Sequence, residues 1–303
     1  MRRLTIASRK QAPAAWQAEH VRTQLAALYP NAAIAVLAVA PPESRSSVGG
    51  TSERVAMIRN LEAAIADGRA DVAVHSLKNL TSDVGAAFTI AGITAREDPR
   101  DAFVSHHYAS LRDLPAGATI GTSSARREAQ LRERFPELDV KLVRGDIASR
   151  LRLLDTGCCD GLVIAAASLK RAGHGSRITT LLEADESLPA PGQGALAIEC
   201  RRDRPDLVAA IAPLGDRATT LATTAERAFS RTLCGTGVAP VAAYAQWEEG
   251  ALWLRGLVAG RCGHGVLRGE RDAQVADAND ATALGQALAD EFLTRGAARL
   301  LSS

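Results

Sequence analysis

An α/β protein with helices laid over parallel-rich sheets, followed by a smaller α+β module, is the fold class this sequence predicts, on three observations. In the first two-thirds, short apolar runs alternate with helix-length segments. The last third exchanges that alternation for a helix, strands and an amphipathic closing helix. The segment Pro189-Ala190-Pro191-Gly192-Gln193-Gly194 suits a crossing between lobes, because proline restricts the backbone and glycine frees it.

Taken in order, Leu4 to Ser8 reads as a strand, Ala14 to Leu28 as a helix and Ala33 to Val39 as a second strand, the opening of a βαβ unit. A helix over Arg54 to Ala66 precedes the strand Asp71 to Val74. Thr119 to Gly121 leads into a helix over Ala125 to Phe135, then the strand Val140 to Val143, a helix from Ile147 to Leu154 and the buried-strand run Gly161 to Ala166. Later, Thr219 to Ser230 is predicted helical, Trp247 to Ala259 and Gly265 to Gly269 are predicted strands, and Ala281 to Arg299 is the closing helix. Pro41 to Arg54, with two prolines, four serines and a glycine pair, reads as a mobile loop.

At 303 residues and 47% hydrophobic content the chain buries a substantial core in two or three domains. No apolar run approaches the roughly 20 residues that span a bilayer. The start, Met1 to Arg9, lacks the apolar core of a signal peptide, so the expectation is a cytoplasmic, soluble protein with no membrane partner. Thirty-six basic against 34 acidic residues leaves a net charge of +2, and no global field argues for nucleic acid. The five cysteines, Cys158, Cys159, Cys200, Cys234 and Cys262, show no repeated ligand spacing, so neither a disulfide framework nor a zinc site is expected. His106-His107 has no accompanying ligand pattern and reads as an exposed loop.

Anion recognition is instead concentrated in short motifs. Gly121-Thr122-Ser123-Ser124-Ala125-Arg126-Arg127 joins hydroxyls, a glycine and two guanidiniums where a strand hands over to a helix. More arginines follow in Val143-Arg144-Gly145-Asp146-Ile147-Ala148-Ser149-Arg150, and a strand ends in His75-Ser76-Leu77-Lys78-Asn79. Together they suit a ligand with several carboxylates.

With these motifs, Arg96 to Phe103 (REDPRDAF), Leu188 to Arg201 (LPAPGQGALAIECR) and Ala225-Glu226-Arg227-Ala228, the chain resembles hydroxymethylbilane synthase, also called porphobilinogen deaminase, over nearly its whole length. The resemblance implies two domains like type II periplasmic binding proteins, with an active cleft between them, plus a small α+β third domain. The expected boundaries are 1–95 with 195–214, then 96–194, then 215–303. It implies a cytoplasmic monomer of tetrapyrrole biosynthesis that joins four porphobilinogen units, with loss of ammonia, onto a dipyrromethane primer held by a cysteine thioether. The positions matching the family's carboxylate-binding side chains are Arg9, Ser76, Lys78, Thr122, Ser124, Arg126, Arg127, Arg144 and Arg150.

The departures cluster around the chemistry. Where the family has its catalytic aspartate stands Asn79, which accepts a hydrogen bond but carries no charge for a cationic intermediate and moves no proton at neutral pH. Counting back from Pro240 places Gly237 at the primer cysteine, and glycine forms no thioether. Cys234 lies three residues earlier; it is either a substitute attachment point on a remodelled loop or a small buried apolar side chain. The loop 40–54 lacks the family's TRGD-type segment, and Arg9-Lys10-Gln11 lacks its serine. Three readings follow: a pyrrole-carboxylate protein with impaired or altered primer-dependent condensation, which is favoured; an active synthase using Cys234, with Asp146, Glu43 or Glu53 as the replacement acid; and a non-catalytic binding protein. Asp146 also suits a helix N-cap.

Overall fold

The first strand shows how the fold starts: Leu4 and Ile6 alternate with Ala7, so one side of the strand feeds one apolar cluster and the other side a second. A computed structural model describes residues 2–40, 50–81, 84–234, 239–260, 263 and 265–302, with backbone only for 50–54. The mobile-loop reading of 41–49, Glu43, Gly237 and Cys262 lie outside the described residues, as do the side chains of Glu53 and Arg54. The chain divides into two units, residues 1–97 with 195–220, and residues 98–194 with 221–303.

Unit 1 contains β1 (Arg3–Arg9), α1 (Ala12–Leu28), β2 (Ala33–Val39), α2 (Gly50–Ala66), β3 (Val72–Ser76) and β4 (Phe88–Ile93). Later in the chain it is completed by β10 (Leu196–Arg201) and α6 (Pro205–Ile211). The sheet order is β2-β1-β3-β10-β4; β1 is parallel to β2 and β3, whereas β10 runs antiparallel to both its neighbours. Ala18, Val21 and Leu25 of α1 and Leu207 and Ile211 of α6 pack on one face with Leu4, Ile6, Val74 and Ile198. Leu61, Ala64 and Ile65 of α2 cover Ala7 and Ala73 on the other. Covering both faces explains why β3 is buried at every position.

Unit 2 begins with β5 (Asp101–Val104), β6 (Thr119–Thr122), α3 (Ala125–Arg134), β7 (Asp139–Leu142), α4 (Ile147–Asp155), β8 (Gly161–Ala165), α5 (Ala166–Arg171) and β9 (Thr180–Leu182). Its sheet runs β7-β6-β8-β5-β9, with β6 parallel to β7 and β8 and β5 antiparallel to β8 and β9. The last part adds α7 (Arg217–Cys234), β11 (Val241–Glu248), β12 (Ala251–Ala259), β13 (Val266–Ala273), α8 (Ala278–Thr294) and α9 (Ala297–Ser302). Phe229 of α7 and Phe292 of α8 meet edge to face, 5.1 Å between centroids, over the three-stranded antiparallel sheet.

The α/β class with a small α+β module is thus the observed one. Several boundaries differ from expectation. The predicted strand Trp247 to Ala259 is parts of two strands, because Glu249 and Gly250, both at positive φ, make a hairpin turn. The closing helix breaks at Gly296, whose φ of 92° ends α8. α2 starts at Gly50 rather than Arg54. Four strands, β4, β5, β9 and β10, were not anticipated, and the antiparallel pairs they make turn both larger sheets from parallel-rich to mixed. Among the described residues no helix is long and apolar enough to cross a membrane.

Candidate functional site

In unit 1 the parallel pairing of β1 and β3 brings their C-terminal ends together, the end at which open α/β sheets hold ligands. Arg9 ends β1 and Ser76 ends β3; a 3₁₀ turn, Leu77–Asn79, then carries Lys78 and Asn79 and is anchored by Leu77 N–H donating to the Ala195 carbonyl at 3.0 Å. A small recess of about 20 Å³, room for a water molecule, is lined by Arg9, His75, Ser76 and Asn79 with Ile58 and Leu61 of α2. Ser76 Oγ accepts from Gln17 Nε2 of α1 at 2.8 Å. On the opposite side of β3, His75 Nε2 lies 2.9 Å from Glu199 Oε2, with both side chains buried.

Unit 2 gathers the arginines. Ser124 caps α3 by accepting from Arg127 N–H, and Thr122 is fully buried with its hydroxyl donated to the Val163 carbonyl at 3.1 Å. Arg126 and Arg127 lie inward from the cap. Each donates to one oxygen of the buried Asp101 at 2.8 Å, and Arg126 also donates to the Leu188 carbonyl. Ser187 and Gln193 complete the carboxylate's shell, each at 2.7 Å. Burial alone would raise the Asp101 carboxyl; the two guanidiniums outweigh it and hold it well below the usual carboxylate range. Arg150 donates to Ser123 Oγ at 2.9 Å, and burial, then the charge of Arg127, push its guanidinium down to about 10, still protonated at neutral pH. Arg144 is exposed; the next residue, Gly145, takes a φ of 106°, which turns the chain into Asp146 and α4.

The nine carboxylate-binding candidates therefore fall into two sets: Arg9, Ser76 and Lys78 in unit 1, and Thr122, Ser124, Arg126, Arg127, Arg144 and Arg150 in unit 2. Asp146 caps α4, its Oδ1 accepting from Ser149 N–H at 2.7 Å. His106 is exposed and bonds Asp155; among the described residues no group of three or more His, Cys, Asp or Glu is arranged to hold a metal. Sequence reasoning did not single out Asp101, Gln193, Gln17, Glu199 or the buried Arg171, which donates to the Gly194 carbonyl at 2.6 Å. A signal existed for two of them: Asp101 opens the apolar run DAFV and Glu199 sits inside LAIEC, and a charge in a buried strand requires a partner.

The family's primer demands a nucleophilic thiolate. Cys234 ends α7 against the apolar cluster of Phe229 and Leu288, and burial pushes its thiol up to about 11. A protonated, apolar-packed sulfur and a glycine at 237 do not fit a thioether-held cofactor.

The folds and side chains define a two-unit α/β protein with arginines and hydroxyl side chains gathered at its strand ends. Residues 4–209 match the family model of the porphobilinogen deaminase dipyrromethane cofactor binding domain, and residues 220–294 that of the porphobilinogen deaminase C-terminal domain. The chain is 48% identical to porphobilinogen deaminase of Burkholderia thailandensis, with 99% of this chain and 92% of the relative covered. It is 49% identical to that of Paraburkholderia phytofirmans, with 97% and 87% covered. The chain belongs to the porphobilinogen deaminase family. Among solved structures, a periplasmic substrate-binding protein of an ABC transporter from Coxiella burnetii is similar at a TM-score of 0.44 and 18% identity, covering 69% of this chain and 91% of that one.

Proposed function

We propose that this family member binds pyrrole carboxylates, porphobilinogen first among them, and that its dipyrromethane-primed condensation is impaired or altered. The observation that carries the reading is selective change: an uncharged Asn79 lines the unit 1 recess, while Arg9, Ser76, Lys78, Thr122, Ser124, Arg126, Arg127, Arg144 and Arg150 all remain. Losing one preorganised electrostatic group costs roughly 2.7–4 kcal/mol of transition-state stabilisation, about a hundred- to thousandfold in rate. Arg144 and Arg150 are the unit 2 side chains proposed to meet ligand carboxylates, with Arg126 and Arg127 setting the field behind them. The protein acts as a monomer in the cytoplasm on small-molecule ligands.

The alternative, an active synthase with its primer on Cys234, has less support, since that thiol is packed and protonated and Asp146 is committed to a helix cap. Intact-protein mass spectrometry of freshly purified material separates the two. A polypeptide of unmodified mass is the expected result; an added dipyrromethane mass on Cys234 would overturn the impaired reading. Restoring Asn79→Asp together with Gly237→Cys tests whether the scaffold still supports condensation, with hydroxymethylbilane formation as the readout.

A further inference from the structure

Antiparallel β10 carries the chain away from the strand ends that bear Arg9 and Ser76: its first residue, Leu196, pairs with Ser76, and its last, Arg201, pairs with Phe88 at the opposite end of the sheet. There, within unit 1, Ala66 at the end of α2, Ala87 and Phe88 around the start of β4, and Arg201, Arg202 and Asp203 around the end of β10 line an open cavity of about 350 Å³. The recess beside Asn79 holds about 20 Å³; this one has room for a small organic molecule. Ala66, Ala87 and Phe88 supply its apolar side, and Phe88 is fixed by packing in the cluster with Ile65 and Ala70. The charges differ in what they face. Arg201 donates Nε to Asp203 Oδ1 at 2.8 Å and Nη2 to the other oxygen of the same carboxylate, and just past Ala66 the Arg69 guanidinium pairs with Asp67. Arg202 has no acidic partner among the described residues. Its Nε donates to the Ala86 carbonyl and its Nη2 to the Phe88 carbonyl, each at 3.0 Å, while its main-chain N–H donates to the Ala87 carbonyl at 2.8 Å. Carbonyls hold a guanidinium in place without cancelling its charge, and the Nη1–Nη2 edge keeps the parallel donors that match a carboxylate.

We infer that this cavity is a second binding site, for a small monocarboxylate with an apolar ring: Arg202 takes the carboxylate by its Nη1–Nη2 edge, and Ala66, Ala87 and Phe88 take the ring. The lining fits one negative charge. Arg201 and Asp203 neutralise each other, so the two arginines and one aspartate leave a net +1, carried by Arg202. Neither half of such a ligand binds well alone, because an exposed guanidinium pairs weakly in water and an open cavity buries only part of an uncharged ring. Joined in one molecule of roughly ten heavy atoms, they give a dissociation constant on the order of 1 mM. The site is independent of the pyrrole-binding reading, since it lies at the far end of the sheet from Arg9 and Ser76 and asks nothing of Asn79.

The test is nitrogen–proton NMR of the isotope-labelled full chain, titrated with 3-phenylpropanoate and, for comparison, with the uncharged 3-phenylpropanamide and with acetate, which lacks the ring. Expected are saturable shifts of the Phe88 amide and the Arg202 Nε–H with 3-phenylpropanoate, and binding about tenfold or more weaker for each comparison compound. Arg202→Gln should weaken 3-phenylpropanoate binding by about tenfold or more, whereas Arg69→Gln, which removes a charge from the same end of the sheet outside the lining, should leave it within about twofold. Because Arg202 also ties main chain together, a second variant spares it: Ala66→Phe fills the cavity from the end of α2, keeps every arginine, and should abolish the shifts. The proposal is overturned by the absence of saturable shifts at about 10 mM, ten times the expected dissociation constant, by shifts confined to Arg144 and Arg150 of unit 2, by equal affinity for the acid and its amide, or by binding unchanged in Ala66→Phe.

Discussion

The two units surround a buried carboxyl differently. In unit 2 one carboxylate, Asp101, is shared by two guanidiniums, a serine and a glutamine, and both carboxylate oxygens are satisfied. In unit 1 one carboxyl, Glu199, meets one imidazole and keeps an oxygen unmatched. The difference lies in the partners of the carboxyl: four donors fix Asp101 in place, while a single imidazole leaves one Glu199 oxygen unmatched, as Nε of Arg126 and of Arg127 is also unmatched.

The largest expected effect breaks the four-donor shell of Asp101. Asp101→Asn leaves Arg126 and Arg127 buried without their counter-charge and should destabilise the fold by about 3–5 kcal/mol, read by chemical denaturation. Acid should act on the same network. The folded Asp101 carboxyl lies below its unfolded value of about 3.9, so its stabilisation is complete above about pH 4 and is lost as pH falls below that. A stability profile flat down to pH 2 would contradict this.

Next come the residues at the ligand edge. Arg150→Ala should weaken porphobilinogen binding by roughly ten- to a hundredfold, the worth of a charge-assisted hydrogen bond, and calorimetry at two salt concentrations checks it. Cys234 sharpens the question of primer attachment: its thiol, buried and pushed up to about 11, should alkylate at pH 8 more slowly than the exposed Cys158. Equal rates at the two cysteines would show an activated sulfur. Smallest is Asp146→Ala, which removes the α4 cap at a cost of about 1 kcal/mol in thermal stability. A much larger loss of ammonia release than of stability in that variant would reinstate Asp146 as an acid.

By itself the sequence determined the alternation of layers, the identity of β2 to the residue, the α3 and α4 starts at Ala125 and Ile147, and the motifs that carry the arginines, because periodicity and caps are local properties. It also displayed Asn79 and Gly237, since a missing charge or sulfur is visible without coordinates. Tertiary structure decided what each charge faces. β4, β5, β9 and β10 are strands because distant segments pair with them, and no local pattern encodes such partners. The same non-local pairing puts Glu199 against His75 across 124 positions of sequence and Asp101 between Arg126 and Arg127, so what each buried charge faces is settled only when the sheets close.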